Sequence, residues 1–167
     1  MELMFFVAAI VAVLATVRVI TDMHPVHALL YLIVSLLAVA IIFYTLGAPF
    51  AAALEVIVYA GAIMVLFVFV MMMLNLGEAQ AQRERSWLAP HAWIGPAALA
   101  AILLIELVYL LQQEWSAAGG QQAVDSKAVG TLLFGQYLLG VELASLLLLA
   151  GLVGAYHIGR RPADEED

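Results

Sequence analysis

The apolar run from Pro49 to Leu76 constrains this chain most, because it is long enough to cross a bilayer and contains one acidic residue, Glu55. An acid at membrane depth costs several kcal/mol unless it is paired, protonated or hydrated, so it indicates a proton or ion pathway. Tyr59 follows one helical turn later, and Gly61 lies between two alanines. At about 1.5 Å per residue the run is about 40 Å long, against a hydrocarbon core of about 30 Å. We therefore expect it to tilt, kink or bulge.

The composition indicates an integral membrane protein. Of the 167 residues, 66% are hydrophobic and 11% are charged, and this leaves too little polar surface to enclose a water-soluble core. The chain has no cysteine, so thiolate metal sites and cysteine-bound iron–sulfur clusters are excluded, and any redox centre belongs to another chain. No metal site is predicted. The sequence has no basic patch, so nucleic acid is not an expected partner.

Five apolar segments are each near or above the roughly 20 residues needed to cross a bilayer. They cover approximately residues 3–20, 26–46, 49–76, 93–111 and 130–158. Pro25 precedes the second segment, and Gly47 and Pro49 separate the second from the third. We predict an all-α integral membrane protein with five transmembrane helices in one domain, residues 1–162, followed by an acidic cytoplasmic tail, residues 163–167.

The basic residues predict the orientation. An odd number of crossings places the termini on opposite sides of the membrane. The basic residues on one side are Arg18, Arg83, Arg85, Arg160 and Arg161, whereas Lys127 lies on the other. The positive-inside rule then predicts a cytoplasmic C-terminus and an external N-terminus. The loop at residues 112–128 would be external.

Two further acids, Glu106 and Glu142, share the predicted outer half of the membrane with Glu55. They could exchange protons, or they could fasten this chain to a partner helix by hydrogen bonds, with Ser145 within reach of Glu142. We favour the fastening role for these two acids. For Glu55, which precedes Tyr59 and a glycine at mid-span, we favour a role in proton passage.

Tyr31 and Ser35 continue a polar stripe on the second helix that starts at His27 and recurs at every fourth residue. Such a stripe can hold water, or it can bind another helix, since interhelical hydrogen bonds are common in membranes. Both interpretations stay open at this stage.

Three motifs of the chain resemble a known family. They are HPVHALLYLIVSLLAVA at residues 24–40, ALEVIVYAGAIMVLFVFVMMMLNL at 53–76 and VELASLLLLAGLVGA at 141–155. On these motifs the chain resembles subunit J of bacterial NADH:quinone oxidoreductase, respiratory complex I, which corresponds to the mitochondrial chain 6. The likeness covers nearly the whole chain apart from the loop and the acidic tail.

The resemblance implies a five-helix subunit of the bacterial cytoplasmic (inner) membrane that holds no cofactor. FMN, iron–sulfur clusters and quinone would be bound by other subunits. The implied partners are the quinone-site subunit, the small three-helix subunit K, the antiporter-like subunits and membrane lipids.

The resemblance also implies a π-bulge near residues 59–65 of the third helix, whose rotation opens and closes a water path. Forming or removing a bulge turns the residues beyond it by about 100°. In this hypothesis Glu55 relays protons, Tyr59 orients water and Gly61 permits the transition, while the gate is formed by Met64, Val65 and Phe67.

Two alternatives remain. The chain could be a purely structural assembly subunit of the same complex, in which its polar residues serve assembly. It could also be a small stand-alone transporter, but the sequence contains neither paired repeats nor two broken helices around a midplane site.

Overall fold

The computed structural model describes residues 2–23, 25–73, 90–112 and 123–159. Within these ranges every regular element is a helix. Several predicted features lie outside the described residues: positions 74–76 at the end of the third segment, the acidic tail, and four of the five arginines used for the orientation, Arg83, Arg85, Arg160 and Arg161.

Among the described residues, five helices are long and apolar enough to cross a membrane: Glu2–Thr21, Pro25–Thr45, Pro49–Met71, Trp93–Gln112 and Leu138–Gly159. This confirms the predicted all-α membrane fold. In chain order the elements are α1 (Glu2–Thr21), α2 (Pro25–Thr45), α3 (Pro49–Leu54), a π-helical segment (Glu55–Ile63), α4 (Met64–Met73), α5 (Pro90–Gln112), α6 (Ser126–Leu133) and α7 (Leu138–Gly159). Together α3, the π segment and α4 form one continuous third span.

Helices α1 and α2 pack most closely, because small side chains face one another along their contact. Ala8 and Ala15 of α1 and Ala38 of α2 have no exposed surface. Small residues let helix backbones approach, which is the usual basis of helix association in lipid. Leu103 and Leu110 of α5 pack against this pair and complete an apolar core.

The link between α2 and α3 is a three-residue turn in which Gly47 has a positive φ of 83°. The N–H of Gly47 donates to the carbonyl of Tyr44 at 3.1 Å, and that of Ala48 donates to Phe43 at 3.0 Å. These two bonds form a Schellman cap, for which a left-handed glycine is favoured. Pro49 then begins α3, where its missing N–H has no bond to lose.

The structure differs from the prediction in the fifth segment, where residues 130–158 do not form one helix. Helix α6 ends at Leu133, and α7 begins at Leu138. A Cβ on Gly135 would lie 2.6 Å from the carbonyl oxygen of Thr131, so this turn requires glycine. The two helices belong to a separate compact unit that starts at Asp125, and none of their described residues is buried.

Candidate functional site

The third span changes from α- to π-helical hydrogen bonding at Glu55 and returns to α-helical bonding at Met64. The N–H of Glu55 donates to the carbonyls of Ala51 and Ala52, and the N–H of Met64 is shared between the carbonyls of Tyr59 and Gly61. A π-helix bonds each N–H to the carbonyl five residues earlier and is rare outside functional sites. The predicted π-bulge is therefore confirmed.

The π segment begins four residues earlier than the resemblance implied. It contains Glu55, Tyr59 and Gly61, whereas Val65 and Phe67 lie beyond it in α4. The acid, the phenol and the glycine thus share one irregular stretch of backbone, so a change in its winding changes the direction in which the two polar side chains point.

Gly61 lies where the π segment leaves little room for a side chain. A Cβ at this position would lie 3.1 Å from the carbonyl oxygen of Val56, five residues earlier. That separation is tighter than ordinary van der Waals contact, so a larger residue would push the Val56 carbonyl aside. Glycine therefore allows the wide turn to close without displacing its own backbone.

Glu55 and Tyr59 both reach the surface of the chain. Glu55 is half-buried, and Tyr59 is 51% exposed. Within the described ranges, no residue forms a hydrogen bond with the Glu55 carboxylate. Because these polar groups are turned outward from the chain at membrane depth, water, lipid or another polypeptide must surround them.

The three predicted gate residues separate into two groups. Met64 is 2% exposed and is the most deeply buried large side chain among the described residues of the third span, whereas Val65 is 65% exposed. Phe67 is also exposed. Because Met64 and Val65 are adjacent, a rotation of about 100° at the end of the π segment would carry one toward the position of the other.

The α2 stripe contacts two helices. The hydroxyl oxygens of Ser35 and Thr16 lie 2.9 Å apart, and the Ser35 hydroxyl is also 3.3 Å from the carbonyl oxygen of Ala12.

Tyr31 points to α5, where a Cβ on Gly95 would collide with its hydroxyl oxygen. Thr16 and Gly95 were not singled out from the sequence. A glycine directly before Pro96 is the signal that could have indicated the second contact.

Glu106 and Glu142 occupy opposite environments. Glu106 is 4% exposed, and neither of its carboxylate oxygens has a donor among the described residues. Glu142 is exposed on α7. The Ser145 hydroxyl donates to the backbone carbonyl of Glu142 at 2.7 Å, not to its carboxylate. Neither acid is part of the π segment.

Comparison with known proteins gives one consistent result. The family model for NADH-ubiquinone/plastoquinone oxidoreductase chain 6 matches residues 15–158. The chain is similar to a Pseudomonas aeruginosa protein named NADH-quinone oxidoreductase subunit J, with 64% identity over 99% of this chain and 100% of the relative. The Escherichia coli K12 protein of the same name is 59% identical over 96% of this chain and 87% of the relative. The corresponding Buchnera aphidicola (Schizaphis graminum) protein is 49% identical over 96% of this chain and 98% of the relative.

Proposed function

Because the chain belongs to the NADH-ubiquinone/plastoquinone oxidoreductase chain 6 family, we propose that its third span controls water and proton passage in the membrane arm of NADH:quinone oxidoreductase. The chain is a multi-pass membrane subunit of this proton-translocating oxidoreductase. The observation that supports the proposal is the π segment at Glu55–Ile63, which holds an acid, a phenol and a glycine with little room for a side chain.

The π segment acts as a two-state element. In the π state Met64 is packed inside the chain and Val65 faces outward. When the segment rewinds as α-helix, α4 turns by about 100°, and a different set of side chains faces the space next to Glu55 and Tyr59. A gate of this kind needs apolar side chains that exclude water in one state and move aside in the other. The long apolar surface of α4 supplies them.

The side chains in the π segment have separate roles in this mechanism. The Glu55 carboxylate accepts a proton from water that reaches it and returns the proton when the path opens on the other side. The Tyr59 hydroxyl both donates and accepts hydrogen bonds, so it orients that water. Gly61 takes no part in proton transfer and permits the backbone transition.

The chain supplies no redox centre and no self-contained active site in this proposal. The absence of cysteine from the sequence supports this assignment for iron–sulfur clusters. FMN, the clusters and quinone are then bound by other subunits. The partners are the quinone-site subunit, the small three-helix subunit K and the antiporter-like subunits, in the bacterial cytoplasmic membrane with the N-terminus outside.

A purely structural role is the second candidate, and the Thr16–Ser35 contact favours it for the α2 stripe. Glu55→Gln and Tyr59→Phe in the assembled complex distinguish the two functions. A pathway residue loses quinone-linked proton pumping while the complex stays intact. If both variants pump normally, or if they lose activity only in proportion to lost assembly, the proposed pathway role is wrong. Tyr156→Phe, on an exposed phenol outside the third span, is the matched control.

A further inference from the structure

Helix α6 has one apolar side and one polar side. At about 100° per residue, its larger apolar side chains fall within one arc of about 140°, here called the apolar arc. The members of the apolar arc are Ala128, Val129, Leu132 and Leu133. The opposite, polar arc contains Ser126, Lys127 and Thr131. Leu132 and Leu133 are both exposed, so the described part of the chain leaves much of the apolar arc uncovered.

The start of α6 is fixed at the edge of the membrane. Val124, two residues before α6, donates its N–H to the carbonyl of Gly47 at 2.9 Å. Gly47 belongs to the turn between the second and third spans, and a turn of this kind lies where the spans leave the hydrocarbon region. Two residues extend over at most about 7 Å, so Ser126 lies close to that level.

The end of α6 is fixed at the same edge. Tyr137 donates its N–H to the carbonyl of Leu132 at 3.0 Å, and α7 begins at the next residue. Helix α7 has 22 residues and is about 33 Å long, enough to cross a hydrocarbon core of about 30 Å, so it begins at a membrane boundary. Helix α6 is only about 12 Å long and cannot cross, so both of its ends lie at one boundary.

These two constraints make α6 lie along the membrane surface. A helix in that position has lipid on one side and water on the other, and the two arcs of α6 match these two neighbours. Lys127 is exposed on the polar arc, and an ammonium at this level is attracted by lipid phosphates. Phe134 and Tyr137, which follow α6, are exposed aromatic residues of the kind that collect at headgroup level.

A neighbouring subunit fits the apolar arc less well than lipid does. One side of α6 measures about 12 by 10 Å, or about 120 Å². A stable protein interface takes about 800 Å² from each partner. Acyl chains need no matching surface, and they are present wherever a helix lies at the edge of the hydrocarbon region.

We propose that α6 is a membrane-surface helix that binds the lipid of the leaflet at which α7 begins, with its apolar arc among the acyl chains and its polar arc toward headgroups and water. In this position α6 fixes the depth at which α7 enters the membrane. The proposal does not depend on the gating role of the third span.

Spin labelling of the assembled complex in nanodiscs of phosphatidylethanolamine and phosphatidylglycerol tests the proposal. The chain has no cysteine, so a labelled complex without substitutions gives the background from the other subunits. A nitroxide on Leu132→Cys reports the surroundings of the apolar arc. Molecular oxygen concentrates among acyl chains and a nickel chelate stays in water, so the ratio of their collision rates with the label distinguishes lipid from water. We expect oxygen collisions to dominate at Leu132→Cys.

Gly130→Cys is the matched control. Gly130 lies about 200° from Leu132 around the helix, and a Cβ at Gly130 meets no atom of the described chain within 4 Å. Nickel collisions should dominate there, so the ratio inverts between the two positions. Val129→Cys, one turn before Leu132 on the apolar arc, gives the same measurement if Leu132→Cys does not assemble.

Two results would overturn the proposal. Collisions dominated by nickel at Leu132→Cys or Val129→Cys would place the apolar arc in water. Few collisions with either reagent at these positions would mean that another polypeptide covers the apolar arc.

Discussion

The Cβ that Gly61 lacks would lie 3.1 Å from the carbonyl oxygen of Val56, which is a tight contact within the π segment. Replacing one hydrogen of Gly61 by a methyl group would therefore place a carbon against the Val56 carbonyl. This substitution tests the π winding of the third span.

Gly61→Ala should shift the third span toward regular α-helix. The methyl group would lie 3.1 Å from the Val56 carbonyl oxygen, and this crowding disfavours the π winding. We expect lower proton pumping per NADH oxidised in membrane vesicles that hold a fully assembled complex, and a larger loss with Gly61→Leu.

The control is Gly151→Ala in α7, where a Cβ meets no atom of the described chain within 4 Å. It should leave pumping unchanged. Normal pumping by an assembled Gly61→Leu complex would contradict the two-state third span.

The hydroxyl pair of Thr16 and Ser35 should contribute measurable stability to the α1–α2 contact. Replacing Ser35 by Ala removes bonds of 2.9 and 3.3 Å. Interhelical bonds of this kind contribute about 0.6 kcal/mol, and at most about 1.7. A double-mutant cycle with Thr16→Val, read as the thermal stability of the assembled complex, should give coupling of this size. Thr21→Val is the control, since that hydroxyl bonds only to Val17 in its own helix. Zero coupling would show that the pair contributes nothing.

Gly95→Ala should destabilise the packing of α5 on α2, because the new methyl group would collide with the Tyr31 hydroxyl. Overpacking of this kind costs about 1–3 kcal/mol. Tyr31→Phe removes the oxygen that is struck, so the double variant should recover part of the lost stability. The yield of assembled complex and its melting temperature measure both effects. If the double variant is no more stable than Gly95→Ala alone, the Tyr31–Gly95 contact is not the cause.

Glu106→Leu should raise the stability of the assembled complex or leave it unchanged. An unpaired buried carboxyl is unfavourable, and an apolar side chain of similar size removes that cost, of about 1–3 kcal/mol. The same change at the exposed Glu142 does not remove such a cost. A large loss of stability in Glu106→Leu would mean that the carboxyl has a partner in the complex, contrary to its enclosure within this chain.

The irregularity of the third span could be predicted because the span contains unusual residues. An acid, a phenol and a glycine in an apolar run longer than the bilayer is thick predict a helix that tilts, kinks or bulges, and the resemblance indicated the π-bulge. The exact start of the π segment at Glu55 could not be predicted, since π and α winding suit the same apolar residues.

The environments of Glu106 and Glu142 could not be separated at the sequence level. Both acids lie in helices that are apolar on every side, so the periodicity of hydrophobic residues does not show which face turns inward. The same limitation hid the pairing of Ser35 with Thr16, because that contact depends on the register between two helices. The break near Gly135 was missed because Gly135 and Gln136 interrupt the apolar pattern only briefly before it resumes at Tyr137.

The three-residue link at Gly47 also determines which end of the third span can move relative to the neighbouring subunits. Its two backbone bonds tie Gly47 and Ala48 to the end of α2, and the N–H of Ala52 in α3 bonds in turn to the Ala48 carbonyl, so the start of α3 is held to α2. When the π segment rewinds, the rotation must therefore occur at the other end of the span, in α4. The surface that α4 presents to neighbouring subunits would rotate, whereas the surface at the Pro49 end would stay unchanged.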